Sequence, residues 1–336
     1  MGQFPVPVSH IGTRNWEMAH WHMSLWFLYT SLMQLPVELE IAREVPPAGS
    51  SVEQAEQYTR WLATHHYENF TVASVFLPRH LRQHFYNVYA YCRWADDLAD
   101  EIPDRTRALE LLNWWGDELR QCYAGSPSHA VFVALEGTIR KFDIPMEPFD
   151  DLLKAFRQDQ TVRRYATWDG VIDYCRYSAN PVGRLVLYLC GYRDSERQTL
   201  SDFTCTALQL ANFWQDVSRD LDKDRIYIPG DLMAAHGVTE AQLFDRRFDH
   251  SYAALIRDLV DRTRELFQKG LPLAQNVVPT LRVDIELFSR GGLAVLDAIE
   301  SIGYNTLQHR PSLTGATKLK LIGRALGGHA LTYARR

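Results

Sequence analysis

Two runs of aspartates carry the chemistry that this sequence could do. Residues 89–101, YAYCRWADDLADE, hold Asp96, Asp97 and Asp100; residues 207–221, ALQLANFWQDVSRDL, hold Gln209, Asn212, Asp216 and Asp220. Carboxylates three or four apart on a helix stand side by side, which costs a few tenths of a kcal/mol per pair in water and far more if they are buried unpaired. Tyr89, Arg93, Asp96 and Asp100 follow one another in steps of four, three and four. Eleven residues at about 100° each return to within about 20° of the start, so these four make one stripe. Gln209, Asn212, Asp216 and Asp220, in steps of three, four and four, make a second. Apolar Leu81, Phe85, Cys92 and Ala95 flank the first stripe, and Leu208, Ala211 and Val217 the second, so both point inward or into a cleft.

A solvated face or arginine pairing would account for either stripe alone. Two of them on apolar helices favour another explanation. If the helices face each other, Asp96, Asp97, Asp100, Asp216 and Asp220 converge with the amide oxygen of Asn212. An all-oxygen set of this kind suits Mg²⁺, which keeps waters and commonly completes its shell with substrate phosphates. Arg93, Arg219, Lys223 and Arg225 lie beside the stripes as candidate diphosphate contacts.

The elements that must position these groups are helices. Ser51 with Gln54 forms a capping box, and a helix is expected from there to about residue 66. Pro78 is expected at the first position of the next, which runs about 24 residues, or about 36 Å, to the IPD stop at 102–104. Further helical patterns span 105–123, 128–141, 147–157, 168–191, 195–221, 249–269, 274–303 and 315–333. Within YCRYSANPVGRLVLYLCGY (174–192), Pro181 predicts a kink or break at Asn180, and Gly183 permits close packing. Tyr89, Tyr91, Tyr174, Tyr177, Phe70 and Phe213 are candidates to wall an apolar cavity, where aromatic faces stabilise cations. No sustained alternation, hairpin turn or repeat is present, so the chain reads as all-α.

The 336 residues, 46% hydrophobic, suffice for a large core in one or two domains. We expect one all-α domain over 51–336, behind an N-terminal extension of 1–50 that is poorly ordered or begun upstream of a start such as Met33. Net charge is −5, which gives no basic field for nucleic acid. Residues 21–35 are apolar but too short and too polar to span a bilayer, and lack a signal peptide's basic start and cleavage site. A weak anchor on the membrane surface is the alternative to a passive tail. The five cysteines form no CxxC pair and read as reduced core residues of a cytoplasmic protein. Oligomeric state is not legible.

These motifs, with HYENF (66–70) and RIYIP (225–229), resemble the squalene/phytoene synthase family of head-to-head prenyl synthases, over about residues 55–310. Within it, HYENF, VYAYCRWADDLADE, YCRYSANPVGRLVLYLCGY and CTALQLANFWQDVSRDL are most similar to the bacterial branch that makes hydroxysqualene for squalene and hopanoids. The resemblance implies the all-α isoprenoid synthase fold with a central cavity, and Mg²⁺ as cofactor. It places Asp96, Asp97 and Asp100 in the first acidic motif and Asn212, Asp216 and Asp220 in the second. It makes Arg93 a diphosphate contact, His66 and Phe70 the start of a flap-like region, and Tyr174 the tyrosine near the reacting carbons. Gln209 would line the pocket and Tyr304 would lie close to the diphosphate. Eukaryotic squalene synthases carry Ala-Gly where this chain has Ala179-Asn180, and end in a membrane anchor where it ends GHALTYARR. Both departures weigh against the reductive reaction of that branch.

The implied reaction ionises presqualene diphosphate and captures the cation with water, releasing hydroxysqualene and diphosphate. Asn180, freed by Pro181, is a candidate to position that water, with a plain cap at the helix break as the alternative. Condensation of two farnesyl or two geranylgeranyl diphosphates is the rival within the family. A di-iron bundle would need two ExxH pairs, and the chain has only EMAH at 17–20. A non-catalytic helical scaffold would leave the stripes unexplained.

Overall fold

The computed structural model describes residues 39–65 and 78–313. The chain divides into two compact units, residues 1–44 and 45–336. The described part of the first contains one turn of helix, Glu40–Arg43. The second unit opens with α1 (Val52–His65). Its capping box forms as expected: Ser51 N–H donates to Gln54 Oε1 at 2.9 Å and Gln54 N–H to Ser51 Oγ at 3.2 Å. Helix α2 (Arg79–Asp100) begins one residue later than expected. Pro78 is its N-cap rather than its first helical residue, and the Pro78 carbonyl accepts from Leu81 N–H.

Then come α3 (Arg105–Ala124), α4 (Ala130–Phe142) and α5 (Glu147–Asp159). The pattern over 168–191 resolves into α6 (Trp168–Ser178) and α7 (Asn180–Leu189). Ala179 breaks the run at φ −120°, ψ −48°, and Pro181 lies in the first turn of α7. The break falls just before Asn180, because a proline restricts the backbone preceding it but suits a helix start. Helix α8 (Ser195–Asp222) has 28 residues and is capped by Asp194. The short α9 (Gly230–Ala235) and α10 (Glu240–Phe244) fill a stretch where no helix is expected. Helix α11 (His250–Gly270), a 3₁₀ turn (Leu271–Gln275) and α12 (Pro279–Ser301) follow. The helix expected at 315–333 lies outside the described residues. Among the described residues there is no strand, only one bridge between Arg164 and Ile226.

Helix α2 packs on α1, α3, α4, α5 and α7, whereas α8 packs on α6, α7, α11 and α12. The two acidic helices barely touch each other, and α7 contacts both. Trp214, Tyr252, Leu255, Leu259 and Leu296 are fully buried beside α8. Beside α2, Tyr91, Trp94, Trp115, Phe132 and Phe149 are fully buried, each large apolar side chain contributing about 1.5–3 kcal/mol. Tyr91 therefore belongs to a solid core, not to a cavity wall, and its hydroxyl donates to the Phe149 carbonyl at 2.8 Å. It stands two residues from Tyr89, about 200° round the helix.

Candidate active site

The C-terminal end of α8 sets the first feature. Asp224 takes a left-handed conformation (φ 57°). Arg225 N–H then reaches back to the Asp220 carbonyl (2.8 Å) and Asp224 N–H to the Leu221 carbonyl (3.0 Å). That pair of bonds is a Schellman stop, here with aspartate where glycine is usual. Two arginines hold the unusual residue: Arg164 donates to the Asp224 carboxylate at 2.6 Å, and Arg163 lies 3.6 Å from it. Ile226 N–H then bonds to the Arg163 carbonyl, and Gly230 N–H to the Tyr165 carbonyl. The segment after α8 is thereby strapped down, and it aims Lys223 and Arg225 at α2. Lys223 Nζ donates to Asp100 Oδ2 (3.0 Å) and Arg225 Nη2 to Asp100 Oδ1 (3.1 Å).

The carboxylates feel one another across this junction. Burial, then the neighbouring Asp216, pushes Asp220 up to about 7, with Asp100 adding to the repulsion. Burial, then Asp100, pushes Asp96 up to about 6, although Asp96 keeps contact with solvent. Burial would raise Asp100 as well, but Arg225 and Lys223 outweigh it and hold that carboxyl below its usual range. Asp216 is paired with Arg310, a residue that the sequence pattern does not single out. Arg219 lies 3.9 Å from Asp216. Asp97 differs from its neighbours: it is buried and paired with Arg93 at 2.5 Å. Burial pushes it up to about 7 against the pull of Arg93.

An aromatic group adjoins the carboxylates. Phe213 and Tyr227 stack at 3.8 Å and 4°, with Tyr174 at 6.1 and 5.8 Å from them and Tyr165 at 5.8 Å from Tyr227. Tyr174, on α6, donates its hydroxyl to Asp159 Oδ2 at 2.8 Å. Asp159 closes α5, and burial pushes it up to about 7, while the Tyr174 hydrogen bond and the Arg225 charge pull it back. Tyr165, Tyr227 and Asp159 belong to this group, and no periodicity points to them. Of the other cavity-wall candidates, Tyr89 is half-buried on the α2 stripe, and Tyr177 lies under Lys154 and Arg176.

A cavity of about 190 Å³ runs between the same helices. Phe85 of α2, Val182 and Gly183 of α7, Leu208 of α8 and Phe288 of α12 line it. Phe85 belongs to the face of α2 that carries Tyr89, and Leu208 lies one turn before Asn212, so the apolar space and the acidic stripes share two helices. A Cβ on Gly183 would come within 2.3 Å of Ser201 Oγ and 2.5 Å of Cys205 Sγ; glycine is what allows α7 and α8 to approach here. Asp284 lines the cavity with both carboxylate oxygens buried and unpartnered.

Asn180 is buried, and its Oδ1 accepts from the Thr206 hydroxyl at 2.8 Å, inside the α7–α8 contact. Ala179 is the buried break itself. Gln209 is half-buried and Asn212 exposed on the α8 stripe. Tyr304 is buried with its ring under the Arg257 guanidinium, packed with the α8–α11–α12 core. His66 and Phe70 lie outside the described residues.

Among the described residues no three His, Cys, Asp or Glu side chains stand together as a ready-made metal cage. The chemistry of the donors nevertheless fits a hard dication. All are oxygens, two carboxylates come from each stripe with the Asn212 amide oxygen from the second, and Asp96 and Asp220 are raised in part by like charge, which a bound cation relieves. Cationic Lys223 and Arg225 lie within the same junction, as an anionic ligand requires.

An all-helical fold with facing carboxylate stripes and an adjoining apolar cavity defines a class of protein suited to an apolar ligand with an anionic head. The chain belongs to the squalene/phytoene synthase family, which residues 63–317 match. It is 35% identical over 262 residues to a hydroxysqualene synthase of Rhodopseudomonas palustris, covering 77% of this chain and 86% of that one. It is 30% identical over 260 residues to a phytoene synthase of Thermus thermophilus, covering 77% and 88%. Among solved structures, squalene synthase HpnC from Alicyclobacillus acidocaldarius is similar with TM-score 0.72 and 46% identity, over 76% of this chain and 96% of that one. A dehydrosqualene synthase shares the fold at TM-score 0.75 and 23% identity, over 82% and 96%. The all-α isoprenoid synthase fold expected from the motifs is the fold observed. No described helix is long and apolar enough to cross a membrane.

Proposed function

We propose that this protein converts presqualene diphosphate and water into hydroxysqualene and diphosphate, with Mg²⁺ as cofactor. The observation that carries the reading is the junction at Asp100: acidic stripes from two helices meet two cations there, and an apolar cavity lies along the same helices. The similarity to a hydroxysqualene synthase supports this choice within the family.

Asp96, Asp100, Asn212, Asp216 and Asp220 would hold the metal, with Asp97 orienting Arg93 beside them. When bound, Mg²⁺ neutralises charge on the diphosphate as it leaves. Lys223 and Arg225 turn from Asp100 to the diphosphate oxygens and stabilise the same developing charge. Arg93 and Arg219 extend that cationic rim. Phe85, Leu208 and the α7 segment receive the hydrocarbon chains and exclude bulk water. The Tyr174–Phe213–Tyr227 group, packed in the core beside α8, would stabilise a cation formed next to it. Tyr89, Gln209, Ala179, Asn180 and Gly183 shape the channel, and Tyr304 supports it from the core. Because the substrate is a lipid, contact with a membrane surface belongs to this reading.

Condensation of two prenyl diphosphates is the second reading, supported by the 30% identity to a phytoene synthase. Purified protein with Mg²⁺ is offered presqualene, farnesyl or geranylgeranyl diphosphate without NADPH, and products are read by mass spectrometry. Alcohol from presqualene diphosphate alone is the expected result. Presqualene diphosphate accumulating from farnesyl diphosphate, or phytoene from geranylgeranyl diphosphate, moves the protein to the second reading.

A further inference from the structure

Asp159 is a carboxylate half satisfied. Its Oδ2 accepts the Tyr174 hydroxyl at 2.8 Å, while its Oδ1 is buried with no partner. An asparagine would fill the same space without a charge, and leaving a buried acceptor unmade costs about 1–3 kcal/mol, more when it is charged. The position is as informative as the cost. Asp159 ends α5 and Tyr174 lies in α6, so the pair joins two elements at the rim of the Tyr165–Tyr174–Phe213–Tyr227 group. Asp159 also feels the charges of Arg225, Asp100 and Asp96. It therefore stands at the border between the rings suited to a cation and the charges suited to the leaving diphosphate. Of the other polar groups, Asn180 Oδ1 is engaged with Thr206, Thr204 Oγ1 with the Leu200 carbonyl and Asp97 with Arg93, whereas the unpartnered Asp284 lines the apolar cavity, whose lining includes none of the four rings.

We propose that Asp159 is the proton acceptor of the water-capture step. The inference rests on the reaction proposed above. Water donates a hydrogen bond to Asp159 Oδ1 and presents its oxygen to the cation. The new C–O bond forms from the water oxygen, one water O–H bond breaks, and its proton passes to Oδ1. The products are a neutral alcohol and a neutral carboxylic acid, which returns its proton to solvent as product leaves. No oxidant or reductant is involved. Tyr174, its hydroxyl hydrogen held by Oδ2, fixes the carboxylate's orientation and turns an oxygen lone pair toward the same region.

The test is the ratio of alcohol to hydrocarbon products from presqualene diphosphate with Mg²⁺, read at equal conversion so that it does not depend on rate. The wild type should give mainly alcohol. Asp159→Asn should lower the ratio at least about tenfold, because the cation then loses a proton to form an alkene instead of being captured. An unchanged ratio in Asp159→Asn, however slow the variant, overturns the proposal and leaves Asp159 a support for Tyr174. Wild-type protein that makes no alcohol overturns the reaction itself, and this inference falls with it. Should Asp159→Asn not fold, as judged by circular dichroism, Asp159→Glu answers the same question. It keeps the acceptor but displaces it by one methylene, so an intermediate ratio is expected, and the wild-type ratio would overturn the role.

Discussion

Lys223, the residue that caps the C-terminal end of α8, donates to Asp100, the last residue of α2, at 3.0 Å across two helices that otherwise barely touch. Arg225 completes a fork on the same carboxylate at 3.1 Å. Ion pairs as exposed as the Lys223 side chain add little to stability. The junction makes better sense as a poised exchange, in which two cations are kept beside a carboxylate until a diphosphate competes for them.

The two cations should differ in weight. Arg225 is 15% exposed at its side chain and Lys223 56%, so water screens the lysine more strongly. Arg225→Met should lower kcat/KM about 100-fold and Lys223→Met about 10-fold. Steady-state kinetics on both variants checks the order, and the reverse ranking would count against the fork as the diphosphate site.

Asp100→Asn and Asp220→Asn should each reduce kcat at least about 100-fold if the carboxylates hold the metal together. Groups acting as one unit are not additive, so the double variant should lose little more than the worse single one. Losses that multiply would indicate two independent sites.

Magnesium with inorganic diphosphate should raise the melting temperature, since a ligand that binds only the folded state adds about 2.7 kcal/mol at one hundred times its Kd. EDTA should abolish the shift together with turnover. A melting temperature indifferent to both would favour a scaffold without a metal site.

Gly183→Ala should destabilise by about 1–3 kcal/mol. The added Cβ would meet Ser201 and Cys205, both on α8, at 2.3 and 2.5 Å. Denaturant midpoints measure the loss, and an unchanged midpoint would mean that α7 and α8 part without penalty.

Asp284 offers a pH test. Burial pushes it up to about 7 in the fold, against about 3.9 when unfolded. Between these values the folded state binds more protons than the unfolded, so stability falls as pH rises from 4 to 7, and the full penalty, up to about 4 kcal/mol, is present above 7. Asp284→Leu should therefore stabilise more at pH 8 than at pH 4.5. An equal gain at both pH values would show that the carboxyl is not held in its neutral form.

Local grammar made much of the fold legible: the Ser51–Gln54 box and the two stripes at helical spacing appear as read, and the break predicted at Asn180 falls one residue earlier, at Ala179. Contacts between distant segments were not legible. Nothing in the periodicity of α5 joins Asp159 to Tyr174 fifteen residues later, or Arg310 to Asp216, because helical phase places a side chain on a face without saying which element that face meets. Asp97 and Tyr91 teach the complementary point. One residue, or two, from a stripe turns a side chain about 100° or 200° away, into the Arg93 pair and into the solid core.

The central claim is ionisation at carbon followed by capture with water. Its most direct measurement is turnover of presqualene diphosphate with Mg²⁺ in ¹⁸O-labelled water. The account predicts hydroxysqualene two mass units heavier and released diphosphate without label. Label in the diphosphate, or no alcohol at all, would contradict it.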